Sequence, residues 1–141
     1  MLEPGTRAPI VVTHAGGAKF AAQIRQHHVM VDQTARGGGN DTAPTPLELL
    51  GASLGTCIAL YVEQFCASRG IAHEGMSVEV ESHSAANPHR IGTFVVRVVI
   101  PTELPERTMN LLERVARSCP VHHTLEGGAE VQLHIETPIA A

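Results

Sequence analysis

The chain has 141 residues, enough for one domain with a real core. Apolar residues make up 43% of it but aromatic ones only 3%, so the core must be built from Val, Ile, Leu, Ala and Met. A formal charge of -4, with Lys19 the sole lysine, disfavours a polyphosphate partner, and the shortage of aromatic platforms disfavours single-stranded nucleic acid. No uninterrupted apolar run reaches the roughly 18 residues of a spanning helix. The N-terminal "MLEPGTRAPIVVTHAGG" has no charged region followed by a long apolar stretch, so neither a membrane partner nor a signal peptide is expected. Cys57, Cys66 and Cys119 are odd in number and widely spaced, without a C-x-x-C. That pattern points away from a secreted disulfide scaffold and towards a reducing compartment, the cytoplasm.

In chain order, "RAPIVVT" (7–13) is short and β-branched and predicts a strand. "KFAAQIRQ" (19–26) and "HHVMVD" (27–32) read as further strand, after a glycine turn in "HAGGA". "QTARGGGNDTAPTP" (33–46) combines three glycines, Asn-Asp and two prolines, and predicts a long loop of the kind that is often functional. Pro46 to Gly70 is the strongest helix. Thr45 suits its N-cap, Pro46 its first position, Glu48 a capping box and Gly70 its end. Leu47, Leu50, Leu54, Ile58, Leu60 and Val62 nearly surround it, which places it in a core or between subunits. Gly51 and Gly55 either admit a close neighbouring backbone or are merely tolerated.

"MSVEVESHSA" (76–85) and "IGTFVVRVVIP" (91–101) flank a turn in "ANPHR" and predict a long hairpin. "PERTMNLLERVARS" (105–118) has apolar residues at helical spacing, with Glu106 early and Arg114 and Arg117 late. "EVQLHIE" (130–136) alternates and predicts a closing strand. The order of strands, long helix, hairpin, helix and strand predicts an α+β fold with antiparallel sheets, in a single domain over residues 1–141.

Cys57 stands in the apolar "GASLGTCIAL". Cys66 lies half a revolution round the same helix and on the order of 13 Å along it, too far for a disulfide across a continuous helix. Cys66 is therefore expected to be a packing residue. Cys119, in "ARSCPVHHTLEGG", sits where one helix stops and Pro120 can begin another turn. At such an N-cap, backbone N–H groups favour a thiolate. A buried cysteine at a helix junction is the other reading. Cys119, His122 and His123 have zinc-compatible chemistry, but adjacent histidines on a helix diverge by about 100° and no fourth ligand has diagnostic spacing, so no metal is expected. Ser53 is out of register with a nucleophile elbow, and "RGGGND" lacks the Gly-Lys-Ser/Thr of a phosphate loop.

"TPLELLGASLGTC" (45–57) together with "CPVHHTL" (119–125), preceded by "HVMVDQTARGGGNDTAPTP" (28–46), resembles the OsmC/Ohr family of osmotically inducible and organic hydroperoxide resistance proteins. The resemblance runs from about His28 to Ile135. It implies antiparallel sheets packed around a long central helix, in an intertwined homodimer with two sites near the interface. It also implies a cofactor-free thiol peroxidase. Cys57 would be the peroxidatic thiolate and Cys119 the resolving thiol, with an organic hydroperoxide as substrate and an external dithiol as reductant. In the hydroperoxide resistance branch a glutamate directly follows the proline. Here that position is Leu47, and Glu48 comes next, as an activating carboxylate or as a helix cap. The family's activating arginine has Lys19 in its matching region, so Arg36 in the glycine loop is the candidate substitute. Two readings of other classes use the same fold: a non-catalytic small-molecule binding module with an apolar pocket at the dimer interface, and a cysteine redox sensor.

Overall fold

The computed structural model describes Gly5 and residues 7–138. The outermost parts of the expected 1–141 domain, and the first residues of the stretch read for a signal peptide, lie outside the described residues. The N-terminal part is an antiparallel meander of β1 (Val11–His14), β2 (Phe20–Ile24) and β3 (His27–Val31). Phe20 pairs with both His14 and Val31, and Ile24 pairs with His27. The sequence predicts strand through Arg25 and Gln26. Those two residues instead form a tight turn, with Arg25 at φ 54°, a left-handed position taken without a glycine to announce it. No residue of this meander is fully buried.

The long helix α1 spans Pro46–Ser68, and its ends form as the sequence predicts. Thr45 Oγ1 accepts from the Glu48 backbone N–H at 3.3 Å, while Glu48 Oε1 accepts from the Thr45 N–H at 2.9 Å, a complete capping box. At the other end the chain turns left-handed at Gly70, φ 66°. The Ile71 N–H then reaches the Cys66 carbonyl at 2.9 Å and the Gly70 N–H that of Ala67 at 3.3 Å, satisfying two carbonyls the helix leaves open.

β4 (Ser77–Ala85) and β5 (Arg90–Val99) form the expected hairpin, with a register shift between His83 and Ser84. Their alternation turns Val78, Val80, Phe94, Val96 and Val98 inwards. α2 (Glu106–Arg117) and α3 (Pro120–Gly127) follow. α1 packs on β4, β5, α2 and α3. The core gathers on one stripe of α1, Leu54, Ile58, Val62, Phe65 and Cys66, closed by Leu112 of α2 and by Cys119. The rest of α1 is less covered, and Leu47, Leu50 and Leu60 stay exposed. By length and composition α1 would suffice to cross a membrane, since an 18-residue window interrupted by a few polar residues qualifies where an unbroken apolar run does not. Here its buried stripe is spent on the β4–β5 hairpin and α2.

Two further expectations need correction. Strand β1 begins at Val11 rather than residue 7. Residues 130–136 form no strand: the segment is irregular, and Val131, Leu133 and Ile135 are 80–85% exposed. The alternation is there, but this chain offers the segment no paired edge.

Gly51 and Gly55 both face the hairpin, with different clearance. A Cβ on Gly55 would lie 2.9 Å from Val80 Cγ2, whereas on Gly51 its nearest neighbours are at 3.8 Å. Gly55→Leu is expected to force α1 off β4 and cost about 1–3 kcal/mol through overpacking. Gly51→Ala is expected to be neutral or to stabilise by up to about 1 kcal/mol through helix propensity. Urea midpoints of the two variants at unchanged m value check both.

Candidate active site

Cys57 lies midway along α1, next to core residue Ile58, and is half-buried. Cys119 lies between α2 and α3 and is fully buried. Its position follows from its neighbour. Proline has no N–H to continue α2, it favours an extended residue before it, and its fixed φ suits the first position of a new helix. Cys119 is accordingly extended, φ −68° and ψ 138°, and is the N-cap of α3, with its Sγ accepting from the His122 backbone N–H at 3.2 Å. Because α3 packs against α1, Cys119 joins the core cluster that Cys57 packs against, and the two thiols come close enough to perturb each other.

The electrostatics at Cys119 run against the expectation of a thiolate. Burial pushes its thiol up, and Cys57 adds to this as a hydrogen-bonding partner and as a like charge. The His122 and Val121 backbone N–H groups pull the other way and are outweighed. The cap exists, but burial wins, so Cys119 is held as a protonated donor beside Cys57. Cys66 is a core residue, as its helical phase required, and its thiol is raised by burial and then by the Glu63 charge. All three cysteines are free.

The two auxiliary residues stand apart from the thiols. α1 is unbroken from Pro46 to Ser68, which leaves Glu48 half a revolution away from Cys57. Its carboxylate serves the capping box, and the Thr45 hydrogen bonds lower its pKa. Arg36 sits exposed in a single turn of 3-10 helix, Ala35–Gly37. Among the described residues no hydrogen bond or ion pair joins it to Cys57. The zinc-like cluster also fails to converge. His122 meets Cys119 through its backbone, while its ring bonds Glu126 at 2.9 Å and stacks on His123. Ser53 donates back to the Leu49 carbonyl at 2.9 Å.

Beside the cysteines, but not lined by them, a groove of about 1100 Å³ runs between α1, β5, α2 and α3. Leu54, Ile58, Phe94, Val96 and Leu112 make much of its lining apolar, and His122, Leu125 and Glu126 of α3 line it as well.

Sequence reasoning missed Asp32, a fully buried carboxylate at the end of β3. It accepts from the Gln33 N–H at 2.7 Å, the Thr42 N–H at 3.0 Å and Thr42 Oγ1 at 2.8 Å, tying the two ends of the glycine loop together. A Cβ at Gly39 would collide with the Gln33 carbonyl and crowd Asp32. The signal was an Asp at a strand end followed by Gly, Asn and Thr, but the matching donor lies ten residues on.

A hairpin packed on a long capped helix, with one cysteine at mid-helix and another at the α2–α3 junction beside it, makes this an α+β protein with two neighbouring thiols. The OsmC-like protein family model matches residues 38–134, and the chain belongs to that family. Several solved structures share the fold. A protein of Psychrobacter arcticus assigned to osmotic stress induction and detoxification response has 24% identity and a TM-score of 0.77, over 87% of this chain and 91% of that one. An OsmC-like protein of unknown function from Vibrio cholerae has 13% identity and a TM-score of 0.73, over 86% and 95%. The organic hydroperoxide resistance protein OsmC of Legionella pneumophila has 17% identity and a TM-score of 0.61, over 87% and 93%. No curated protein matches the chain.

The hydrogen bonds to Asp32 hold its carboxyl well below the usual carboxylate range, at about 2. Its folded pKa lies below its unfolded one, near 4. Its stabilising contribution is therefore complete above roughly pH 5 and is lost as pH falls through about 4 to 2. Asp32→Asn is expected to be less stable than the parent at pH 7, with the difference closing towards pH 2. Denaturant midpoints at pH 7, 4 and 2.5 measure this.

Proposed function

We propose that this protein reduces organic hydroperoxides with Cys57 as the peroxidatic and Cys119 as the resolving thiol. One observation carries the reading: of three free cysteines, the two that the family likeness pairs come close enough for their thiols to interact, while Cys66 faces away from Cys57 into the core. The hydroperoxide resistance protein of Legionella pneumophila, on the same fold, supports the substrate class.

The unequal burial of the two thiols suits two unequal tasks. Half-buried Cys57 can be reached by a hydroperoxide. Its thiolate attacks the terminal oxygen, the O–O bond breaks, and the alkoxide leaves and takes a proton to become the alcohol. Cys57 is then a sulfenic acid. Buried Cys119, kept as a thiol, is shielded from peroxide and adjacent to the sulfenic sulfur. On losing its proton it attacks that sulfur, the S–O bond breaks, hydroxide leaves as water, and a disulfide forms. An external dithiol returns both sulfurs to thiols and is itself oxidised. Neither Glu48 nor Arg36 of the same chain has a part in these steps. The chemistry needs no metal or cofactor and suits a reducing compartment such as the cytoplasm.

The functional unit in this reading is a homodimer. The β1–β3 meander buries no residue fully, the run Val131, Leu133, Ile135 alternates in open solvent, and Leu47, Leu50 and Leu60 lie bare on α1. A second copy would cover these surfaces together, by strand pairing and helix packing. Sedimentation is expected to give twice the chain mass, and Leu133→Asp to shift the protein towards monomer. A wild-type monomer at micromolar concentration would refute the dimer.

Stoichiometric cumene hydroperoxide is expected to reduce the free thiols per chain from three to one within mixing time. Cys57→Ser should bring peroxide consumption down to the uncatalysed rate. Cys119→Ser should still react, leaving a sulfenic acid trapped by dimedone. No thiol loss would sink the proposal. With no thiol loss the apolar groove would favour a binding role, and loss of thiols without turnover on any dithiol would favour a sensor.

A further inference from the structure

The eight-residue helix α3 is too short to hold itself together in water. Three local devices support it. Cys119 Sγ caps the His122 N–H at 3.2 Å, the His122 ring pairs with Glu126 at 2.9 Å, and left-handed Gly128 donates to the Thr124 carbonyl at 3.1 Å. Only the first of these rests on an atom whose covalent state can change. The same helix supplies His122, Leu125 and Glu126 to the wall of the groove.

We infer that α3 is a redox-responsive element: bonding Cys119 to Cys57 withdraws the capping sulfur, loosens the first turn of α3 and reshapes the groove wall. The inference rests on the cysteine pairing put forward above. In the dithiol form the Cys119 sulfur satisfies an N–H that has no partner within the helix. In the disulfide that sulfur is bonded to a sulfur on α1 and carries neither proton nor charge. Closing the two sulfurs to the roughly 2 Å of an S–S bond draws it towards α1 and away from the His122 N–H. The His122 N–H loses its partner at a partly buried position, where an unmet donor is costly. Loss of one N-cap shifts helix opening by about fivefold. Reduction by a dithiol restores the cap, so the state of the thiols is written into the groove.

The test uses the full-length protein oxidised with one equivalent of diamide. Its N=N bond takes up two electrons and the two thiol protons, becoming a hydrazine as the S–S bond forms. This makes the disulfide without any hydroperoxide. Deuterium exchange of peptides covering residues 120–128 is expected to quicken about fivefold on oxidation and to return on reduction, with α2 unchanged. Cys119→Ser keeps a capping oxygen but cannot form the bond, so its α3 should not respond to diamide. A Cys57–Cys119 disulfide proven by mass spectrometry, with α3 exchange unchanged or slower, overturns the inference. So does failure of diamide to link the pair. A normal response to diamide in a protein inert to hydroperoxides supports the inference and removes only the peroxidase function.

Discussion

At Gly55 the backbone of α1 approaches Val80 so closely that a single added carbon would lie 2.9 Å from the valine methyl. That clearance sets how deep the helix sits on the hairpin. With α1 seated there, Leu54, Ile58 and Val62 are buried, and α2 can close the core through Leu112. Each such side chain, once buried, contributes roughly 1.5–3 kcal/mol. The depth also fixes where Cys57 stands, and therefore where α3 must dock for Cys119 to meet it.

The junction of α2 and α3 then does two things at once. Pro120 ends one helix and begins the next, which makes Cys119 both a buried thiol and a helix cap. A cap on its own would draw the thiol towards ionisation. Removal from water opposes it, and the neighbouring Cys57 reinforces that opposition. The thiol beside Cys57 is thus kept protonated by its surroundings, while Cys57 keeps some access to solvent. In the proposed cycle this difference in access, rather than a difference in residue type, separates the thiol that meets substrate from the one that resolves.

How much of this was legible from the residues depended on how local the cause was. Thr45, Pro46, Glu48 and Gly70 state the limits of α1 in the sequence, because caps are made by near neighbours. The separation of Cys57 from Cys66 followed from helical phase alone. The role of Glu48 as a cap was one of two open readings, and an unbroken α1 decided it. The turn at Arg25 was hidden because an arginine took a conformation that glycine or asparagine usually signals. Residues 130–136 carry the period of a strand, but period gives only a strand's faces and says nothing of the edge it pairs with. Burial of Cys119 was one of two open readings, and only the packed fold shows that it outweighs the helix cap and pushes the thiol up. The meeting of Cys57 and Cys119 came from family likeness, since no spacing rule links a mid-helix residue to a distant helix junction.

The clasp made by Asp32 changes how the glycine loop should be regarded. Three glycines in a row usually mark a hinge, and hinges are where proteases cut and where insertions are tolerated. Here one carboxylate binds both ends of the loop, and Gly39 is pressed against its base with no room for a side chain. The loop is a fixed strut that delivers the chain to the start of α1 at a set angle. An insertion here would pull Thr42 away from Asp32 and break the clasp, although the composition of the stretch looks the most permissive.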